Sequence, residues 1–352
     1  MFSQRLRNLT PYVPGEQPQD RTYIKLNTNE NPYPPSPRVV DTLTNLDPET
    51  LRRYPDPRFT LLRQRIAERY GVTPEQVFAG NGSDEVLSFI FFAFFDSANG
   101  GPLRFPEHTY SFYPVYCNYY GIDSERIPLA PGYRIDLAPY ARSGSCGVIF
   151  PNPNAPTGIA VPLADITAFL ERYPSDGMVV VDEAYVDFGA ESAVALIDRH
   201  PNLLVVRTLS KSMSLAGLRL GFAMGNAELI SALYTTKDAF NSYPLGTLAQ
   251  LAGVAAIADA AYYDAVNRAV VATRERFSRT LTDSGWEVLP SAANFVFTRC
   301  PNAGGKTIYL KLKDKGILVR HFETPGISDF VRITIGTDPD MDACAAAIAE
   351  CF

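Results

Sequence analysis

Four apolar runs constrain this chain more than any other feature: GVIFPNP from Gly147, MVVVDEAY from Met178, NLLVVRTLSK from Asn202 and LRLGFAMG from Leu218. A strand wetted on one face alternates apolar and polar residues. These runs are continuous, which suits strands covered on both faces, as in a parallel sheet. Between them lie segments of helical spacing, the clearest from about Leu163 to Arg172. That alternation predicts an α/β domain with a mostly parallel central sheet and helices on both faces. Ligands of such sheets bind at the carboxyl ends of the strands.

The flanking segments read differently. TPYVPGEQP, NTNENPYPPSP and RYPDPR, all within the first 60 residues, are rich in proline, asparagine and tyrosine and predict an arm that wraps over other structure. Helices are expected from about Arg58 to Tyr70, ending at Gly71, and from near Ser83. The apolar run Val86 to Phe95 is roughly half the length needed to span a bilayer, so it reads as a buried helix. A long alanine-rich helical stretch covers about Thr247 to Ser278. Strand-like NFVFTRC, GILVRHF and FVRITIG, with an amphipathic helix from about Met341, predict a smaller α+β domain. The expected division is an arm over 1–30 that packs with the small domain or a partner subunit, a large domain over 31–250 and a small domain over 251–352.

A net charge of −6 provides no basic face for nucleic acid. Five cysteines without a CxxC, and only three histidines, predict neither a disulfide framework nor a metal site. No apolar leader follows Met1, and a cytoplasmic location is expected.

Chemistry-bearing residues follow three of the apolar runs: NPNAPTG from Asn152, DEAY from Asp182 and TLSK from Thr208. Each alone has an ordinary reading as a turn, a helix cap or a solvated lysine. On neighbouring strands the three would meet in one cleft.

Together with LTPY (Leu9–Tyr12), LNTNENPYPPSP (from Leu26), RYPD (Arg53–Asp56), GNGSDEV (Gly80–Val86), VVVDEAYVDF (from Val179), TLSKSMSLAGLRLG (from Thr208), NFVF (from Asn294), GILVR (from Gly316) and VRITIG (from Val331), they resemble the aspartate-aminotransferase fold family, fold type I of the pyridoxal-phosphate enzymes. Within it the chain is most similar to the histidinol-phosphate aminotransferases. The resemblance covers nearly the whole chain.

The resemblance implies a role for each matching residue. Lys211 holds pyridoxal phosphate as a Schiff base and then moves the substrate Cα proton, a double role that suits a flexible, pKa-adjustable amine. Asp182 pairs with the pyridine nitrogen, and Tyr185 donates to the cofactor's O3′. Gly82, Ser83 and Asp84 open a helix whose N–H groups meet the phosphate. Thr208 and Ser210 add hydroxyl donors there, and Arg219 adds a guanidinium. Tyr110 stacks on the ring or packs in the core. Tyr54 reaches the cofactor phosphate of the other subunit, which makes the enzyme a homodimer with shared sites. Arg332 receives the substrate's anionic group, Arg320 makes a second contact or a rim salt bridge, Tyr12 closes over the substrate, and Asn29 lies nearby.

The family pattern is NPNNPTG, whose second central asparagine donates to O3′; here that position is Ala155, with Asn154 beside it as a candidate cofactor contact. Loss of one donor is expected to raise the imine pKa, because the donor stabilises the phenolate left when the imine deprotonates. The expected reaction moves an amino group between L-histidinol phosphate and 2-oxoglutarate. Rival readings are an aromatic amino-acid aminotransferase, a threonine-phosphate decarboxylase and a non-catalytic cofactor-binding protein.

Overall fold

The apolar runs form strands wherever they lack polar interruption. In the computed structural model, which describes residues 2, 4–7, 9–12 and 15–352, they become β5 (Gly147–Pro151), β6 (Met178–Asp182), β7 (Leu203–Thr208) and β8 (Gly221–Gly225), every residue of them buried. Residues 1, 3, 8, 13 and 14 of the expected arm lie outside the described residues. Three shorter strands, β2 (Val77–Gly80), β3 (Leu103–Pro106) and β4 (Ser124–Ile127), complete a seven-stranded sheet in the order β2-β8-β7-β6-β5-β3-β4. β7, β6, β5, β3 and β4 are mutually parallel, whereas β8 runs antiparallel to both β7 and β2. The fourth apolar run is therefore a reversed strand. A buried reversed strand is as apolar as a parallel one, so composition does not report its direction.

The run within Val86–Phe95 lies on the helix Gly82–Phe94, which buries Val86, Leu87, Phe89, Ile90 and Phe91 beside β2, β7 and β8. Among the described residues no helix is long and apolar enough to cross a membrane. The helix expected from Arg58 begins at Thr60 and ends at Gly71, where φ is +69°. The alanine-rich stretch is two helices, Thr247–Ala258 and Ala260–Asp283, separated at Asp259. The terminal helix starts at Asp338, where Thr337 and Asp340 form a capping box. The arm reading fails for part of the first 60 residues: Pro37–Thr44 is a helix, with Ser36 accepting from the Arg38 N–H and Pro37 in its first turn, a position that proline tolerates.

A second, antiparallel sheet has the order β12 (Arg320–His321), β13 (Val331–Thr334), β10 (Phe295–Arg299), β9 (Glu287–Val288). The arm contributes to a separate two-stranded sheet, in which β1 (Ile24–Lys25) runs parallel to β11 (Ile317–Leu318). Among the described residues two main hydrophobic cores result, beside a small cluster of Leu289, Phe297, Ile327 and Phe330. One surrounds the seven-stranded sheet and continues to Tyr263; the other gathers Leu26, Val270, Phe277, Trp286, Phe295 and Ile333. The long helix Ala260–Asp283 contributes to both.

Candidate active site

β5, β6 and β7 are parallel neighbours, so their apolar runs end at one level, at Pro151, Asp182 and Thr208. Two adjoining cavities lie at that edge. The first, of about 120 Å³, is lined by Ser83, Asp84, Asp182, Thr208, Ser210 and Arg219 among others. The second, of about 170 Å³, includes Tyr12, Thr28, Arg320, Phe322 and Arg332 in its walls. Tyr110, Ala155, Tyr185 and Lys211 border both and form the partition between them.

The Lys211 amine donates to the Thr28 carbonyl at 3.0 Å. Burial, with Arg332 nearby, lowers its pKa to about 8. At neutral pH roughly a tenth of it is then the free, nucleophilic amine, against well under a hundredth for an exposed lysine. Asp182 is buried at the end of β6, where it accepts from the Tyr113 hydroxyl at 2.9 Å and the Ala184 N–H at 3.2 Å. Burial raises its pKa to about 6, so the carboxylate favours a cationic partner.

The N-terminus of the helix Gly82–Phe94 also lines the first cavity, at Ser83 and Asp84. Gly82 has φ +81°, and a Cβ there would come within 2.6 Å of Arg219 Nη2. A Cβ on Gly221 would lie 2.3 Å from the Ser83 nitrogen. Both positions must be glycine for the helix start, β8 and Arg219 to approach so closely. Helix N–H groups, the Arg219 guanidinium and the Thr208 and Ser210 hydroxyls make a donor set for an anion. Arg219 Nη2 donates to Asp84 at 2.8 Å, and the other oxygen of Asp84 accepts from the Tyr110 hydroxyl at 2.7 Å.

Antiparallel pairing puts Arg320 and Arg332 directly opposite each other on β12 and β13. Both guanidiniums lie 5.6 Å from the Phe322 ring centroid. Arg332 Nη2 donates to the Asn27 carbonyl at 3.1 Å, but its buried Nε has no partner among the described residues. Two such cations facing one cavity call for an anionic ligand. Tyr12, packed against Phe112 at 4.7 Å, closes one side.

Two expected residues, Asn154 and Tyr54, border neither cavity, and a third, Asn29, borders one with its amide already engaged. Asn154 does not border either cavity; its amide donates to the His108 carbonyl and to Thr157 Oγ1, at 3.0 and 3.1 Å, so it is no substitute for a donor at Ala155. Tyr54 is 82% exposed, stacks on Tyr243 and borders neither cavity. Asn29 does border the second cavity, but its amide is committed to Tyr185. Four contributors escaped sequence reasoning. Tyr113 holds Asp182; Thr28 and Asn31 hold the Lys211 amine and carbonyl; Phe322 underlies both arginines. The density of tyrosine in HTYSFYP and of asparagine in NTNEN was the one signal pointing to the first three, and none pointed to Phe322.

An amine, a buried carboxylate and an anion cradle lining one cavity fit a flat, anionic, aldehyde-bearing ring with a basic nitrogen. Residues 21–348 match the family model of class I and II aminotransferases. The chain is 58% identical, over 97% of its length and 95% of the relative's, to a histidinol-phosphate aminotransferase of Syntrophus aciditrophicus. It is 53% identical to one from Dechloromonas aromatica, over 99% of this chain and 98% of that protein. The fold superposes with a TM-score of 0.89 on a crystal structure of the Sinorhizobium meliloti histidinol-phosphate aminotransferase in complex with pyridoxal-5′-phosphate, at 28% identity and over 99% and 96% of the two chains. By fold, motif and near full-length identity, the chain belongs to the class I and II aminotransferases, on their histidinol-phosphate aminotransferase branch.

Proposed function

We infer that this chain is a pyridoxal-phosphate-dependent aminotransferase that exchanges an amino group between L-histidinol phosphate and 2-oxoglutarate, yielding imidazole acetol phosphate and L-glutamate in histidine biosynthesis. The partition carries this reading: Lys211 opens both on a cavity fitted to the cofactor and on a cavity fitted to an anionic substrate. When bound, pyridoxal phosphate supplies a protonated pyridine ring that accepts electrons from the substrate Cα. Asp182 would keep the ring nitrogen protonated, and the helix start at Ser83 and Asp84, with Thr208, Ser210 and Arg219, would hold the phosphate. Tyr110 covers the ring. Tyr185 donates to the phenolic oxygen. Lys211 would hold the cofactor's aldehyde carbon and, once freed, would move the proton at the substrate Cα as general base and acid. Arg332 and Arg320 grip either a phosphate monoester or a carboxylate, so one pocket serves both half-reactions. Tyr12 excludes water.

We extend the reading to a homodimer in the cytoplasm. Tyr54 and Tyr243 lie exposed together, with Leu51, Phe240 and Leu248 also exposed, and an exposed apolar surface of this kind favours a subunit interface. All five cysteines are free, which suits a reducing compartment. We place the arm at 1–30 and the two domains on either side of 250/251, with the first core continuing some residues into the long helix.

The test is glutamate formation from 2-oxoglutarate, with L-histidinol phosphate or phenylalanine as donor. We expect kcat/KM to favour histidinol phosphate by about 10²-fold or more, since a site that pairs with a substrate's polar group rejects analogues lacking it. Preference for phenylalanine would reassign the substrate, and carbon-dioxide release from threonine phosphate without glutamate would reassign the reaction.

A further inference from the structure

Ala155 brings no hydrogen-bond donor to the partition between the cavities. Of the other three bordering side chains, the Tyr110 hydroxyl proton is used on Asp84 and Lys211 is the reacting amine. That leaves the Tyr185 hydroxyl as the one neutral donor of the partition, and its direction depends on what else it bonds. It accepts from Asn29 Nδ2 at 2.9 Å. The Asn29 amide is itself oriented. Its backbone N–H donates to Thr334 Oγ1 at 3.0 Å, and that hydroxyl donates to Asn29 Oδ1 at 2.9 Å. With Oδ1 occupied as an acceptor, the amide nitrogen faces Tyr185. Asn294 Nδ2 donates to the Asn29 carbonyl at 3.0 Å, and Asn29 is buried with φ +56°, a conformation asparagine adopts more readily than most residues.

We propose that Asn29 is a positioning residue that, held by Thr334, fixes the Tyr185 hydroxyl so that its proton points into the cofactor cavity, and thereby does for this chain part of what an asparagine at position 155 would do. The inference rests on the pyridoxal-phosphate reading above. A donated bond from Asn29 also polarises the Tyr185 O–H and strengthens it as a donor. The charged groups around Tyr185 are Lys211, whose amine lies 5.9 Å from its ring centroid, together with Arg332, Asp182 and Asp84.

The experiment is a spectral pH titration of the cofactor-loaded protein, comparing wild type, Asn29→Asp, Tyr185→Phe and the double variant. Asn29→Asp keeps size and backbone preference but substitutes an acceptor for the donor, so the tyrosine proton turns away from the cofactor. The imine pKa should rise by about one unit in Asn29→Asp and in Tyr185→Phe, the size of one lost hydrogen bond. In the double variant the Asn29 substitution should add little, because it acts through Tyr185. An unchanged pKa in Asn29→Asp overturns the proposal, and so does an equal further rise in the Tyr185→Phe background, which would mark a general electrostatic effect. Thr334→Val, which frees the amide to flip, should shift in the same direction as Asn29→Asp; no shift there overturns the role of Thr334. If loading produces no Lys211-dependent visible band at all, the cofactor reading itself falls, and the proposal with it.

Discussion

Asp182 shows how a single residue carries both function and a cost. Its folded pKa, about 6, lies above the ordinary value of 3.8, so between those two values the cofactor-free protein holds a proton there that the unfolded chain has released. Such a group leaves stability intact below the unfolded value and lowers it as pH rises through the window from about 4 to about 6. Above that window the penalty is on the order of 3 kcal/mol. Cofactor-free Asp182→Asn should therefore melt higher than cofactor-free wild type above pH 6, with the difference closing toward pH 4. Equal melting temperatures across the range would show that the carboxylate is better solvated than its burial implies. The residue type and its place after MVVV were legible in the sequence. Tyr113, which donates to it from 69 residues away, was not, because nothing in local spacing reports that approach.

At the scale of elements, the exits of β6 and β7 are tied by buried charges behind the site. Arg207 pairs with Asp187 and lies 3.8 Å from Glu183. Asp187 also accepts from the Ser212 hydroxyl, next to Lys211. Removing the guanidinium would take the cation from the buried Glu183 and the partly exposed Asp187, leaving only the neutral donors Ser192, Ala193 and Ser212, at about 3 kcal/mol. Arg207→Leu should lower the melting temperature by about 4 °C and loosen the loop that carries Lys211; a drop under about 1 °C would sink this account. The strands themselves were readable because burial on two faces leaves continuous apolar runs. β2, β3 and β4, of four residues each, were not: runs this short do not distinguish strand from helix, and β4, SERI, is not even apolar. Nor was the break at Asp259, which lies in sequence that favours helix throughout.

For the whole molecule the decisive prediction concerns sharing between subunits. Tyr54 borders neither cavity of its own chain. If it serves the other subunit's site, Tyr54→Ala and Lys211→Ala complement each other. Random reassortment of the two inactive proteins makes half the dimers mixed, each with one intact site, so about a quarter of wild-type activity should return on mixing. No recovery, with dimer exchange shown independently, would confine Tyr54 to its own chain.

Chemical identity at the site was set by the sequence alone: which residue is the amine, which the carboxylate, and that both follow buried strands. Those properties depend on residue type and on local pattern, which a linear chain displays. Tertiary structure decided what each side chain faces. The direction of β8, the turning of Asn154 toward His108, the stacking of two arginines on Phe322 and the bond from Asn29 to Tyr185 all join residues far apart in the chain. Their energies exist only when packing has brought those groups together, and no local spacing encodes them.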